Sequence, residues 1–282
     1  MRTAFAIAAF LAALIDSAFA QTPNELLIRR GDYLVNAVMS CNGCHTPRGP
    51  KGPDMSKMLS GGMTFDEPEF KVTASNITPD PDTGIGKWSD DDLRKLLRTG
   101  IRPNGEAVAA IMPTAFYVAL TERDLDAIVA YLRSIPAVKN ETPAPEYRIK
   151  QPRPPAPLVK AAMTEADQID PVKHGRYLAT IAHCLECHTP RDNGKINLKR
   201  IGAGGVEFKG PFGKSTSANI TKNKDLGIGT WSDDDIRRAI TQGIAKNGEP
   251  LKPPMNFTGY ARMTPQDLSA LVAFVKTLPA RK

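Results

Sequence analysis

The chain has 282 residues, 24 of them proline and 22 glycine, with 6% aromatic residues and a formal net charge of +7. That length is more than one small domain needs, loops must be abundant, and the few aromatics leave a thin core that a large apolar cofactor would help to fill. Lys and Arg are scattered among Asp and Glu with no basic block, which argues against a nucleic-acid partner.

Residues 1–20 read as a cleaved export signal. Arg2 supplies the positive start, Ala4 to Ile15 an uncharged apolar run, and Ala18-Phe19-Ala20 a small-x-small cleavage site, so that Gln21 becomes the mature N-terminus. The apolar run is too short to span a bilayer as a helix. The expected location is the periplasm, with contact to the inner membrane only through a partner.

In chain order, a first helix is expected over 30–40, with Tyr33, Leu34 and Val38 near one face, running into Cys41. Ser89-x-x-Asp92 resembles a capping box with Asp in place of Glu. Leu93, Leu96 and Leu97 follow at helical spacing, and Gly100 is a plausible stop. Thr121-x-x-Asp124 starts a last helix with Leu125, Ile128, Val129, Leu132 and Ile135 inward. Seven prolines between Pro136 and Pro157 then predict a stiff, extended strap. No convincing alternating strands stand out, so the expected class is all-α.

The remainder repeats what came before, at an offset of 143 residues. Cys41, Cys44 and His45 map to Cys184, Cys187 and His188; Asn76-Ile77-Thr78 to Asn219-Ile220-Thr221; Trp88-Ser89-Asp90 to Trp231-Ser232-Asp233; Met112 to Met255; and Asp124 to Asp267. Upstream of the first cysteine the offset slips by one, and Gly31 and Tyr33 match Gly175 and Tyr177. Two units indicate a duplicated domain. The expected division is a signal at 1–20, a first domain at 21–136, a Pro-rich linker at 137–170 and a second domain at 171–282.

All four cysteines fall in two copies of C-x-x-C-H, CNGCH at 41–45 and CLECH at 184–188. Zinc would need four ligands, which one C-x-x-C with one His per half does not supply; one zinc shared between the halves would explain the cysteines but not the repeated Met. A redox dithiol would need a βαβ setting, and an exported chain could also hold plain disulfides. Covalent haem attachment uses every member: two thiols bond the two vinyl groups, and the next residue, His, ligates the iron. The second axial ligand should repeat as well. Met112 and Met255 are the methionines that match across the offset, each 67 residues after the motif's His. A thioether is a soft ligand that raises the potential, although methionine also serves as a core filler.

Other residues carry two readings each. Trp88 and Trp231 could donate to a haem propionate or simply pack before a helix cap. Arg48 and Arg191 could pair with propionates or remain solvated. Asn76 and Asn219 could bond propionates or shape turns. Pro47 and Pro190 are candidates to offer carbonyls to the histidine Nδ1–H. Tyr33 with Tyr131, and Tyr177 with Phe274, are assigned to the contact between first and last helices. His174 and His183 read as surface or haem-edge residues.

The segments CNGCHTPRG, SNITPDPDTGIGKWSDDDL, IMP and LTERDLDAIVAYLRSIPAV, with CLECHTPRD, ANITKNKDLGIGTWSDDDI, PPM and MTPQDLSALVAFVKTLP, make each half resemble a class I cytochrome c domain. From Asn24 to Pro279 the whole resembles the diheme portion of the cytochrome c subunits of membrane-bound bacterial alcohol, gluconate, sorbitol and fructose dehydrogenases. The resemblance implies two tandem domains, each wrapped around a covalent haem c. It implies thioethers at Cys41, Cys44, Cys184 and Cys187, and iron held by His45 with Met112 and by His188 with Met255. Those subunits often carry three C-x-x-C-H sites, whereas this chain has two. The implied function is single-electron transfer in a respiratory chain, from a periplasmic dehydrogenase to a cytochrome, quinone or terminal oxidase, with no catalytic residues. The alternative is a diheme peroxidase or thiosulfate-oxidising enzyme, which needs one labile iron site.

Overall fold

In the computed structural model the description covers residues 22–50, 52–148, 161–210 and 212–282. The export signal lies outside these residues, as do the prolines of the strap from Pro152 to Pro157.

The first half begins with helix α1, Pro23–Tyr33. It starts earlier than the apolar spacing suggests because Thr22 and Glu25 close a capping box and Pro23 occupies the first turn. The chain then widens into a π-helical turn over Leu34–Val38. This turn absorbs the one-residue slip in the repeat, since a single extra residue inside a helix is accommodated as a π-bulge. Ser40, at φ 58°, makes a left-handed break, and α2 (Cys41–His45) follows. A small hairpin of β1 (Arg48–Gly49) and β2 (Gly52–Pro53) precedes a longer one of β3 (Thr64–Glu67) and β4 (Phe70–Thr73). Helices α3 (Asp90–Thr99), α4 (Thr114–Tyr117) and α5 (Glu122–Ser134) complete the half. The expected capping box forms at α3. Ser89 Oγ accepts from Asp92 N at 3.1 Å, the Asp92 carboxylate accepts from Ser89 N at 2.9 Å, and Gly100 ends the helix at φ 68°.

The strap is not free-standing where it is described. β5 (Glu146–Tyr147) pairs antiparallel with β4. Met163 N donates to Ala119 O at 2.9 Å, so the far end of the linker also rests on the first half.

The second half repeats the plan with α6 (Pro171–Ile181), α7 (Cys184–Cys187), the hairpins β6 (Arg191–Asp192) with β7 (Lys195–Ile196) and β8 (Glu207–Gly210) with β9 (Gly213–Thr216), and then α8 (Asp233–Gln242), α9 (Phe257–Tyr260) and α10 (Pro265–Val275). The hairpins correct the all-α expectation. Their strands are two to four residues long and mostly exposed, too short and too polar to show an alternating pattern.

First and last helices cross closely in each half because glycine removes the side chain at the crossing. A Cβ on Gly31 would stand 2.0 Å from Ala127 O, and one on Gly175 1.9 Å from Ala270 O. Tyr131 and Phe274 pack at these crossings, as expected. The buried residues of both halves form one continuous apolar cluster.

Tyr33 and Tyr177 depart from their assignment. Each hydroxyl reaches into the opposite half. Tyr33 donates to Asp267 Oδ2 at 2.7 Å, and Tyr177 donates to Asp124 Oδ2 at 2.6 Å. The two bonds are equivalent under the repeat, so the halves exchange matching contacts. Arg30 grips Asp124 with two bonds of 2.8 and 2.7 Å, and His174 Nε2 meets Asp267 Oδ1 at 2.7 Å. His174 is therefore an interface residue. Burial alone would lower the Arg30 pKa, but hydrogen bonding to Asp124 and its charge outweigh that and raise it. Thr121 and Thr264 cap α5 and α10 by accepting from Asp124 N and Asp267 N. Neither aspartate closes a capping box, because both carboxylates are turned to the interface.

Candidate haem-attachment sites

Each C-x-x-C-H forms one helical turn after a left-handed residue, Ser40 in one half and His183 in the other. The i, i+3 spacing sets both thiols of a motif on the same side of that turn. No disulfide joins the cysteines of either motif. Burial pushes Cys41 and Cys184 up to about 12 and Cys187 up to about 11, and it raises Cys44 as well. Among the described residues no group of three or more His, Cys, Asp or Glu side chains is arranged to hold a metal ion.

Each motif histidine has its Nδ1 fixed by a backbone carbonyl. His45 is buried, and its Nδ1 donates to Ser75 O at 2.7 Å. His188 Nδ1 donates to Ala218 O at 2.7 Å. Burial lowers both imidazole pKa values, more than the carbonyl bond raises them, so the rings are neutral. With Nδ1–H engaged, the Nε2 lone pair is the one available to a metal. The carbonyl partners are thus Ser75 and Ala218, not Pro47 and Pro190. Those prolines lie in the turn that follows the motif, and their carbonyls accept from Asp54 N and Asn197 N at 2.7 and 2.8 Å.

Asn76 and Asn219 stand directly after these carbonyls. Asn76 Oδ1 accepts from Thr78 N and Oγ1 at 2.9 and 2.7 Å, while Nδ2 donates to Thr83 Oγ1 and Val138 O at 3.0 and 2.7 Å. Asn219 repeats this with Thr221 and Arg281 O. Both amides are spent on holding the N-I-T loop to the chain that leaves the last helix. Their geometry is that of loop-shaping residues which hold the histidine's carbonyl partner.

Met112, Met255, Trp88 and Trp231 are half-buried and pack against the core that also receives Cys41 and Cys184. Arg48 and Arg191 lie close enough to Cys44 and Cys187 for their charges to be felt there; Arg191 also meets Glu186 at 3.5 Å. His183 lies 3.4 Å from Glu186.

Tyr117 and Tyr260 were not singled out by the sequence reading. Each ends a four-residue helix, five residues after Met112 or Met255. Tyr117 is 2% exposed and within electrostatic range of Cys41 and Cys44; Tyr260 is 9% exposed and stands in the same relation to Cys184 and Cys187. The available signal was their match across the repeat. Each stands in the short helix that follows its methionine loop.

No helix among the described residues is long and apolar enough to cross a membrane. The cytochrome c family model matches the chain twice, at residues 28–136 and 172–279. A diheme cytochrome c-type protein of Cereibacter sphaeroides is 30% identical over 85% of this chain and 82% of its own length. The cytochrome c subunit of alcohol dehydrogenase (quinone) of Gluconobacter oxydans is 30% identical over 96% of this chain and 58% of its own length. The gluconate 2-dehydrogenase cytochrome c subunit of Pantoea cypripedii is 27% identical over 92% and 61%. The chain thus spans about three-fifths of these dehydrogenase subunits. With two matching domains, each presenting paired thiols and a neutral histidine, the chain belongs to the cytochrome c family as a diheme, electron-transferring member carrying two covalently bound haem c groups.

Proposed function

We propose that the chain is the periplasmic electron-transfer partner of a dehydrogenase, passing single electrons to a cytochrome, quinone or terminal oxidase. When bound, haem supplies a one-electron iron couple whose potential is set by axial ligands, burial and hydrogen bonding. Cys41, Cys44, Cys184 and Cys187 hold it through thioethers. His45 and His188 bind iron through Nε2, oriented by Ser75 and Ala218. Met112 and Met255 would supply the second ligand to each iron, a soft thioether that raises its potential. Arg48 and Arg191, beside the second cysteines, and the indoles of Trp88 and Trp231 serve the propionates. The observation that carries this reading is the equivalence of the two halves at every member of the set, with no position left distinct for a labile iron. The likeness to dehydrogenase cytochrome subunits supports the donor class.

The test is the absorbance spectrum of the ferric holoprotein, quantified for the red methionine-to-iron charge-transfer band. Two bands' worth per chain, lost in Met112→Ala with Met255→Ala, is expected. One band's worth or none would move the peroxidase or thiosulfate-oxidising reading ahead.

A further inference from the structure

The residues that open the two cysteine turns both lie at the domain contact. Ser40, just before Cys41, accepts a hydrogen bond from Asn256 Nδ2 at 2.8 Å, and Asn256 follows Met255. In the matching place, His183, just before Cys184, packs against Phe116 with ring centroids 6.4 Å apart, and Phe116 belongs to the helix after Met112. Each methionine loop therefore touches the residue that opens the other half's cysteine turn. Tyr117 and Tyr260 end the helices that carry these contacts. Both are buried in the apolar cluster that the halves share, the helix that Tyr117 ends packs on α6, the helix that Tyr260 ends packs on the π turn of the first half, and the two phenols are within electrostatic range of each other. Nothing in the attachment chemistry requires this arrangement.

We propose that Tyr117 and Tyr260, backed by Phe116, form the packed medium through which an electron crosses between the two domains, so that exchange occurs inside one molecule. The inference rests on the diheme reading above. The step is one electron from the reduced iron of one domain to the oxidised iron of the other. No bond is made and no proton moves. Burial raises both phenol pKa values, which keeps them neutral throughout. The rings act by filling space with touching atoms, because a void has no partner atoms on one side. Their role is positional, and Phe should replace either of them.

The test uses holoprotein bearing Met255→His, which lowers one potential and makes the two domains spectrally distinct. After flash reduction by a photoexcited dye, a first-order equilibration independent of protein concentration is expected. Tyr117→Phe with Tyr260→Phe should hold the rate within about twofold, because the ring contacts persist. Tyr117→Ala with Tyr260→Ala should slow it by about an order of magnitude or more, because two ring volumes are emptied. An unchanged rate in the alanine pair, or equilibration that scales with protein concentration, overturns the proposal. A second readout needs no core variant. Paramagnetic resonance of the fully ferric chain should show magnetic interaction between the irons. A spectrum equal to the sum of single-haem variants, Cys41→Ser with Cys44→Ser and Cys184→Ser with Cys187→Ser, overturns it as well. A haem content of one per chain would instead refute the diheme reading, and this inference with it.

Discussion

Asp124→Ala should be among the most damaging single substitutions outside the haem ligands. Asp124 is 3% exposed and accepts three hydrogen bonds, two from Arg30 and one from Tyr177 of the other half. Its removal strands a guanidinium with 25% of its side-chain surface exposed and a phenol with none. Breaking a buried ion pair by deleting one partner costs about 3–5 kcal/mol. Arg30 keeps some water and a second carboxylate at 3.9 Å, Asp267, which places the expected loss near the lower end of that range, about 3 kcal/mol. Tyr177→Phe removes one bond to a charged acceptor and leaves Asp124 paired with Arg30, so about 1.5–3 kcal/mol is expected. The assay is urea unfolding of the holoprotein, followed by far-ultraviolet circular dichroism. Because the lost bond joins the halves, Asp124→Ala combined with Asp267→Ala should also split one transition into two. A loss below about 1 kcal/mol in Asp124→Ala, the size of an exposed pair, would refute the reasoning.

Gly31→Ala and Gly175→Ala should each destabilise by about 1–3 kcal/mol or more, since the added carbon meets a backbone carbonyl that cannot step aside; the urea midpoint measures this. Ser89→Ala and Ser232→Ala should each cost about 1 kcal/mol in the same assay, through loss of the cap at α3 or α8. Burial raises the Asp267 pKa, but the bonds from His174 and Tyr33 and the Arg30 charge outweigh it, so the folded carboxyl lies below its ordinary value. A depressed carboxyl contributes fully above the unfolded value of about 3.9 and loses its contribution as pH falls through the lower folded one. The interface should therefore loosen below about pH 4, and Asp267→Asn should flatten that part of a stability-against-pH titration.

Much of the site could be read from the chain because its chemistry is local. The two thiols and the histidine of CNGCH or CLECH act within a single helical turn, and the caps at Ser89 and Ser232 close within three residues. Register across the duplication then singled out Met112 and Met255 from the other methionines. The extra residue between Gly31 and Cys41 was visible as a slip in the repeat, but its form, a π turn, depends on a helix already held at both ends. Tertiary structure alone decided the rest. The histidine's carbonyl partner lies 30 residues away, and no local pattern distinguishes Ser75 or Ala218 from the prolines beside the motif. Tyr33 and Asp267 are 234 residues apart, Tyr177 and Asp124 53. Their sequence contexts mark a helix face and a helix start, and both descriptions are accurate within one domain. They become a crossed interface only when two copies of the same surface meet, because a duplicated patch can satisfy its own hydrogen bonds twice over.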